Sequence, residues 1–166
     1  MFELASSSAG AVFSDCTSYR YCLWRRWDGQ LPTMVWVLLN PSTADASLDD
    51  PTVLRCVRFA RAHQHGGVIL VNLFAWRATD PRELRQQRDP VGPDNDVYID
   101  WACRVSALNT IVAGWGAHAF AAQRAQDVRD LIACASKRPI QCFGTSKAGH
   151  PRHPLYLSSD SELVSL

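Results

Sequence analysis

The chain has 166 residues, 47% of them hydrophobic and 20% charged, which leaves room for one domain and excludes wholesale disorder. Its 17 basic and 16 acidic residues sum to a net charge of +1, so no global field points to a polyanionic partner. The longest apolar run, residues 34–39, is far short of the roughly 18 residues that span a bilayer, and residues 1–10 lack the basic and apolar regions of an export signal; a cytoplasmic protein without membrane association is expected.

Local composition says more. Residues 137–154 hold Lys137, Arg138, Lys147 and Arg152, two histidines and no acid, whereas residues 41–50 hold Asp45, Asp49 and Asp50 and no base. A neutral total therefore conceals one basic loop, which suffices for a small nucleic-acid site. The six cysteines (16, 22, 56, 103, 134, 142) show no metal-knuckle spacing. Several lie in apolar runs, where cysteine behaves as a small hydrophobe, and reduced thiols with no metal site are expected.

In chain order, residues 12–27 alternate aromatic and polar side chains and predict a β-hairpin at a sheet edge. Residues 34–39 are continuously apolar, as a strand covered on both faces should be. Asn40-Pro41-Ser42-Thr43 ends that strand, and Pro51 suits the first turn of a helix running to about residue 65 on the stripe Val53, Leu54, Val57 and Ala60. A second buried strand is predicted at 68–74. A long loop follows, with one short helix near 81–87, then a helix from Asp94 to about residue 107. A strand at 110–113, an Ala-rich helix over 117–135, a strand at 139–143 and a basic loop over 144–154 complete the pattern.

Strand–helix alternation with buried strands implies an α/β fold, with a four-stranded parallel sheet between two helical layers and the N-terminal β-hairpin added. One domain is expected over 1–166, with residues 1–30 as a hairpin arm and 31–157 as the core. In such sheets the ligand crevice lies beyond the carboxyl ends of the strands. That rule gathers residues 40–43, 72–77, 114–117 and 145–154 on one rim. The rim has no phosphate-binding glycine fingerprint and no nucleophile elbow. Its amides, hydroxyls, histidines and basic groups suit recognition of a base and phosphates better than covalent catalysis.

Strand-Asn40-Pro41 resembles the water-positioning motif of the uracil-DNA glycosylase superfamily, and His150-Pro151-Arg152-His153-Pro154-Leu155 resembles that superfamily's His-Pro motif loop. Val71-Asn72 falls where those enzymes carry a base-reading asparagine. More closely, residues 39–45, 49–52, 72–75, 77–81, Trp115-Gly116 and 149–155 resemble an uncharacterised-domain family of bacteria and phages, some members of which look like defence glycosylases acting on hypermodified phage bases. The resemblance implies a uracil-DNA glycosylase-like fold and hydrolysis of an N-glycosidic bond in a flipped-out nucleotide. It gives Asn40 the water, His150 a hydrogen bond to the departing base, and Asp45 or Asp50 the proton that an amide cannot accept. Ser42, Asn72, Phe74 and His153 would contact the base. Thr43, Thr145, Ser146, Lys147 and Arg152 would contact DNA phosphates, and Arg152 would fill the vacated stack.

Each group also has an ordinary structural role: Asn40-Pro41 as a strand-to-helix turn, the three aspartates as caps, Asn72 as a backbone brace, Phe74 as core. Hydrolysis by water calls for no cofactor, and no rim lysine stands out as a Schiff-base nucleophile, so a monomeric, monofunctional enzyme acting on DNA is expected. Uracil-specific relatives carry a tyrosine after the Asp-Pro pair that blocks position 5 of the pyrimidine; Ser42 stands here, so a bulky 5-substituted pyrimidine, such as a glucosylated hydroxymethylcytosine, is the expected substrate. Leu38 replaces their usual glycine. A non-catalytic binder of modified DNA and a hydrolase of free nucleosides remain open alternatives.

Overall fold

The computed structural model describes residues 8–105 and 110–166. The fold is mixed α/β, built on one seven-stranded sheet. Strands β1 (Ala9–Phe13), β2 (Arg20–Arg26), β3 (Thr33–Leu38), β4 (Gly67–Asn72), β5 (Thr110–Ala113), β6 (Gln141–Cys142) and β7 (Val164–Ser165) lie in the order β1-β2-β4-β3-β5-β6-β7. β3 pairs in parallel with β4 and with β5, and β5 in parallel with β6. The β1–β2, β2–β4 and β6–β7 pairings are antiparallel.

Alternation along the central strands divides the core in two. Val35, Val37, Ile69, Val71, Ile111 and Ala113 belong to one cluster, with Tyr98, Ile99, Val128 and Ile132 from helices α2 (Asn95–Arg104) and α3 (Ala122–Ala135). Met34, Trp36, Leu38, Val68, Leu70 and Val112 belong to the other, with Val53, Cys56, Phe59 and Ala60 of α1 (Pro51–Ala62). Both sets are fully buried, which is why these strands read as unbroken apolar runs instead of alternating ones. Full burial of a side chain such as Phe59 stabilises by about 1.5–3 kcal/mol.

Several boundaries differ from the sequence expectation. α1 stops at Ala62 because Gln64 turns into a left-handed conformation, φ 57°, ahead of Gly66. The helix expected over 117–135 opens as a 3-10 turn, Ala119–Ala121, before α3 begins. The helix from Asp94 ends at Arg104, and the residues to which it was expected to run, 106 and 107, lie outside the described residues. The strand expected over 139–143 shrinks to two residues, and the C-terminal β7 that pairs with it carries no pattern visible in sequence. The N-terminal hairpin lies at a sheet edge, as its alternation predicts, with β2 pairing antiparallel with β4, Leu23 opposite Leu70.

The strand order places β3 at the point where successive crossovers depart to opposite sides, β4 lying on one flank and β5 on the other. Loops leaving the carboxyl ends of such neighbours diverge and open a crevice between them. Gly114, just past β5, lets the chain approach closely there: a Cβ would meet Leu38 and the Pro154 ring at 3.1 and 3.2 Å. Gly116 follows with φ 77°, a value that favours glycine.

Candidate functional site

A cleft of about 820 Å³ occupies that crevice. Its walls come from the loop after β3 (Asn40, Ser42, Thr43), the first turn of α1 (Asp50, Thr52), the segment after β4 (Ala78, Thr79), the loop after β5 (Gly116, His118) and the motif loop near the C-terminus (Ser146, Arg152, His153, Tyr156).

Asn40 is braced by its own amide. Its Nδ2 donates to the carbonyls of Pro41, at 3.1 Å, and Ala78, at 2.7 Å. Both donor hydrogens are thus used, and Oδ1, with no hydrogen bond among the described residues, is the polar atom it has to offer. An amide oxygen is an acceptor for a water or for a ligand N–H.

Asp50 caps α1: its Oδ1 accepts from the Val53 amide at 2.9 Å, ahead of Pro51 at the first helical position. The capping role foreseen for this carboxylate therefore coexists with a place on the cleft wall. Asp45 is different. Its Oδ1 accepts from the amides of Ser47 and Leu48 and from the Ser47 hydroxyl, which holds its carboxyl below the usual range, and it does not line the cleft. It shapes a turn. The catalytic part considered for Asp45 is corrected on that ground. Asp49 is likewise turned to an ion pair with Arg25, at 2.7 Å.

Of the two motif-loop histidines, the one lining the cleft is His153, not His150. Residues 144–152 fold back on themselves, Thr145 bridging Pro151 and the Ser146 amide donating to the His150 carbonyl at 2.8 Å. This tight hairpin leaves His150 outside the cleft, with Thr145 and Lys147 exposed beside it, while Ser146, Pro151 and Arg152 reach the wall. The His150 assignment is therefore corrected. His153 Nδ1 accepts from the Leu155 amide at 3.4 Å, which in the neutral ring puts the proton on Nε2. Burial lowers its pKa, nearby His118 lowers it further and Asp50 opposes the change. The ring is thus a neutral hydrogen-bond donor at pH 7.

Asn72 and Phe74 do not line the cleft. Asn72, at the end of β4, is buried and among the described residues neither polar atom of its side-chain amide has a partner, while Phe74 packs in the core with its ring stacked on Phe120 at 5.9 Å. The backbone-bracing role considered for Asn72 belongs to Asn95, whose Nδ2 donates to the Asn72 and Leu73 carbonyls at 3.0 and 3.1 Å. Base contact by Asn72 and Phe74 is corrected: the chain turns after β4 and carries Ala78 and Thr79 to the wall in their place.

Sequence reasoning missed His118, Thr52, Thr79 and Tyr156 on the walls and Arg20 beneath them. A small space of about 30 Å³ adjoins the cleft and shares Asn40, Ser42, Asp50, Thr52 and His153 with it; Arg20 lines its far side. Arg20 carried one signal, a cation between Tyr19 and Tyr21 immediately ahead of the apolar residues 21–24. Among the described residues no group of three or more His, Cys, Asp and Glu is placed to hold a metal ion.

Fold and site together define an α/β protein with a hydroxyl-bearing cleft at the carboxyl edge of its sheet. The family described as "Protein of unknown function (DUF1643)" matches residues 20–155, and the chain belongs to it. The matched span runs from Arg20 through every cleft residue except Tyr156. No curated protein and no solved structure matches the chain.

Proposed function

We propose that this protein is a monofunctional DNA glycosylase that hydrolyses the N-glycosidic bond of a flipped-out, 5-modified pyrimidine, with bulky bases of phage DNA such as glucosylated hydroxymethylcytosine as the substrate class and antiviral defence as the setting. The observation that carries this proposal is one cleft shared by two motif segments far apart in the chain, one bringing Asn40 Oδ1 and the other a neutral His153. The parallel pairings of β3, β4, β5 and β6, with helices contributing to both core clusters, support a three-layer fold of the uracil-DNA glycosylase kind. Cytoplasmic DNA, met as a monomer, is the proposed partner.

N-glycoside cleavage develops positive charge on the sugar and negative charge on the departing base. His153 Nε2–H, a fixed donor in a partly desolvated wall, stabilises the base anion, an effect worth about 2.7–4 kcal/mol for one such donor elsewhere. Asn40 Oδ1 accepts a hydrogen bond from the attacking water and aims the water's lone pair at the sugar. The Asp50 carboxylate, anchored through Oδ1 on the helix cap, offers its other oxygen to the oxocarbenium-like sugar and takes the water's proton. Thr43, Ser146 and Arg152 bind the flanking phosphates, offsetting the few kcal/mol that extrusion of the base costs. Ser42 leaves room for the 5-substituent.

The test is incubation with genomic DNAs that differ in their natural base modifications, followed by alkaline cleavage and mass analysis of released bases. Release of one modified base with matching alkali-labile sites is the expected result. Tight binding without release would make the protein a binder of modified DNA, and equal turnover of free nucleosides would make it a nucleoside hydrolase.

A further inference from the structure

We propose that Arg20 builds a hydroxyl-recognising subsite at the floor of the cleft, so that the base bound there is selected for a hydroxyl on its substituent. The proposal rests on the N-glycoside function above and names the feature of the substrate that the floor would read.

The local backbone accounts for the placement of Arg20. Along the β1–β2 pair, Val12 lies opposite Cys22 but Phe13 lies opposite Arg20, so Tyr21 is an extra, bulged residue. Tyr21 and Cys22 both join the core cluster that holds α2 and α3. Simple alternation from Cys22 would send Arg20 to that same face. The bulge turns it to the other one, where it lines a small space together with Leu38, Val53 and Leu70 of the cluster that holds α1. Bulges next to functional sites commonly re-aim a side chain in this way.

The guanidinium so placed is under-satisfied. Arg20 is 2% exposed, its Nη1 donates to the Ala44 carbonyl at 2.6 Å, and its Nε is buried with no partner. Among the described residues it makes no ion pair. Burial lowers its pKa to about 10, against the opposing charge of Asp50, so it remains a cation at neutral pH. A buried, incompletely paired charge is costly to keep and marks a site where a ligand completes the pairing.

The chemistry of that ligand follows from the walls. Arg20 can only donate, whereas Asp50 can only accept. A hydroxyl does both and satisfies the two at once; a methyl satisfies neither, and a carboxylate would face Asp50 with like charge. The space of about 30 Å³ admits a single oxygen, with the Ser42 and Thr52 hydroxyls free to rotate toward it and Leu38, Val53 and Leu70 against its carbon. Five lining residues are common to this space and the cleft, so a group on the bound base reaches it directly.

The test uses duplexes with one 5-hydroxymethylcytosine or one 5-methylcytosine on a 2′-fluorinated sugar that resists cleavage, with binding read by fluorescence anisotropy. Wild-type protein should prefer the hydroxymethyl duplex by about tenfold to hundredfold, the range for a hydrogen bond to a charged group. Arg20→Met, which keeps the volume and removes the donors, should bind both alike. No preference in the wild type, or the same preference in Arg20→Met, overturns the subsite. Should that variant not fold, the Arg20 Nε–H resonance of the wild type decides: a shift with the hydroxymethyl duplex and none with the methyl duplex supports the subsite, and the same response to both overturns it. Base release from unfluorinated duplexes reports the glycosylase separately. Release without preference overturns the subsite alone, whereas preference without release upholds the subsite and overturns the enzyme.

Discussion

The side-chain amide of Asn40 donates to the carbonyl of Ala78 at 2.7 Å, tying the loop after β3 to the segment after β4. This bond fixes which end of the amide faces the cleft. Asn40→Asp would set a carboxylate against two carbonyl oxygens, those of Pro41 and Ala78, although aspartate serves at this place in the enzymes the motif resembles. The substitution is expected to lower stability by about 1–3 kcal/mol, the cost of leaving such groups unpaired, and to abolish base release. Denaturant melts alongside a release assay check both.

Asp50 holds a structural and a chemical position together, and two substitutions separate them. Asp50→Ser retains a capping oxygen for the Val53 amide and should stay within about 0.5 kcal/mol of wild type, while Asp50→Ala should lose about 1 kcal/mol. Both remove the carboxylate and should lose base release alike. Activity surviving in Asp50→Ser would show that the residue only caps.

His153 and His150 are a few residues apart with opposite expectations. His153→Gln should lower the rate of base release by about a hundredfold or more, the scale of one lost electrostatic donor, while His150→Ala should change it little. Single-turnover kinetics on the modified duplex separate the two.

Burial lowers the pKa of His153 and of His65, whose ring is held between the His63 carbonyl and the Thr110 hydroxyl. A histidine with a lowered folded pKa binds its proton first in the unfolded chain. Its contribution is therefore complete above the unfolded value of about 6.5 and is lost as pH falls toward the folded value. Each should add a slope of at most about 1.4 kcal/mol per pH unit below pH 6.5, and His153→Gln should remove one of the two. Chemical denaturation from pH 8 to pH 5 gives the measurement.

Ser42→Tyr would place a ring where the uracil-specific enzymes that the Asn40-Pro41 motif resembles carry one. It should abolish release of a bulky 5-substituted base while leaving the fold intact, since Ser42 is only partly buried. Unchanged turnover on the bulky base would remove the basis for the substrate class.

The buried strands were legible because period and burial coincide in them: 110–113 was read to the residue, and β3 to within one. Asn40, Ser42, Asp50 and His153, which line the cleft, were legible as candidate residues because strand ends and a proline-rich motif mark them. Both His150 and His153 were read onto the rim, and the place of His150 off the cleft wall was hidden because spacing alone does not show a hairpin folding upon itself. Arg20 escaped notice because a bulge, one residue in an antiparallel pair, decides which face a side chain takes, and periodicity assumes that no such shift occurs. Phe74 looked like a stacking platform from its place after β4, but the turn there buries it against Phe120.

Since β2 is paired with β4 and Arg20 stands at its start, the cleft has its deepest charge on a segment that precedes the whole strand–helix repeat. A trimmed protein beginning at β3 would keep the motif loops and their two histidines, yet its binding site would have no base to it, and the exposed edge of β4 would be left without a neighbour.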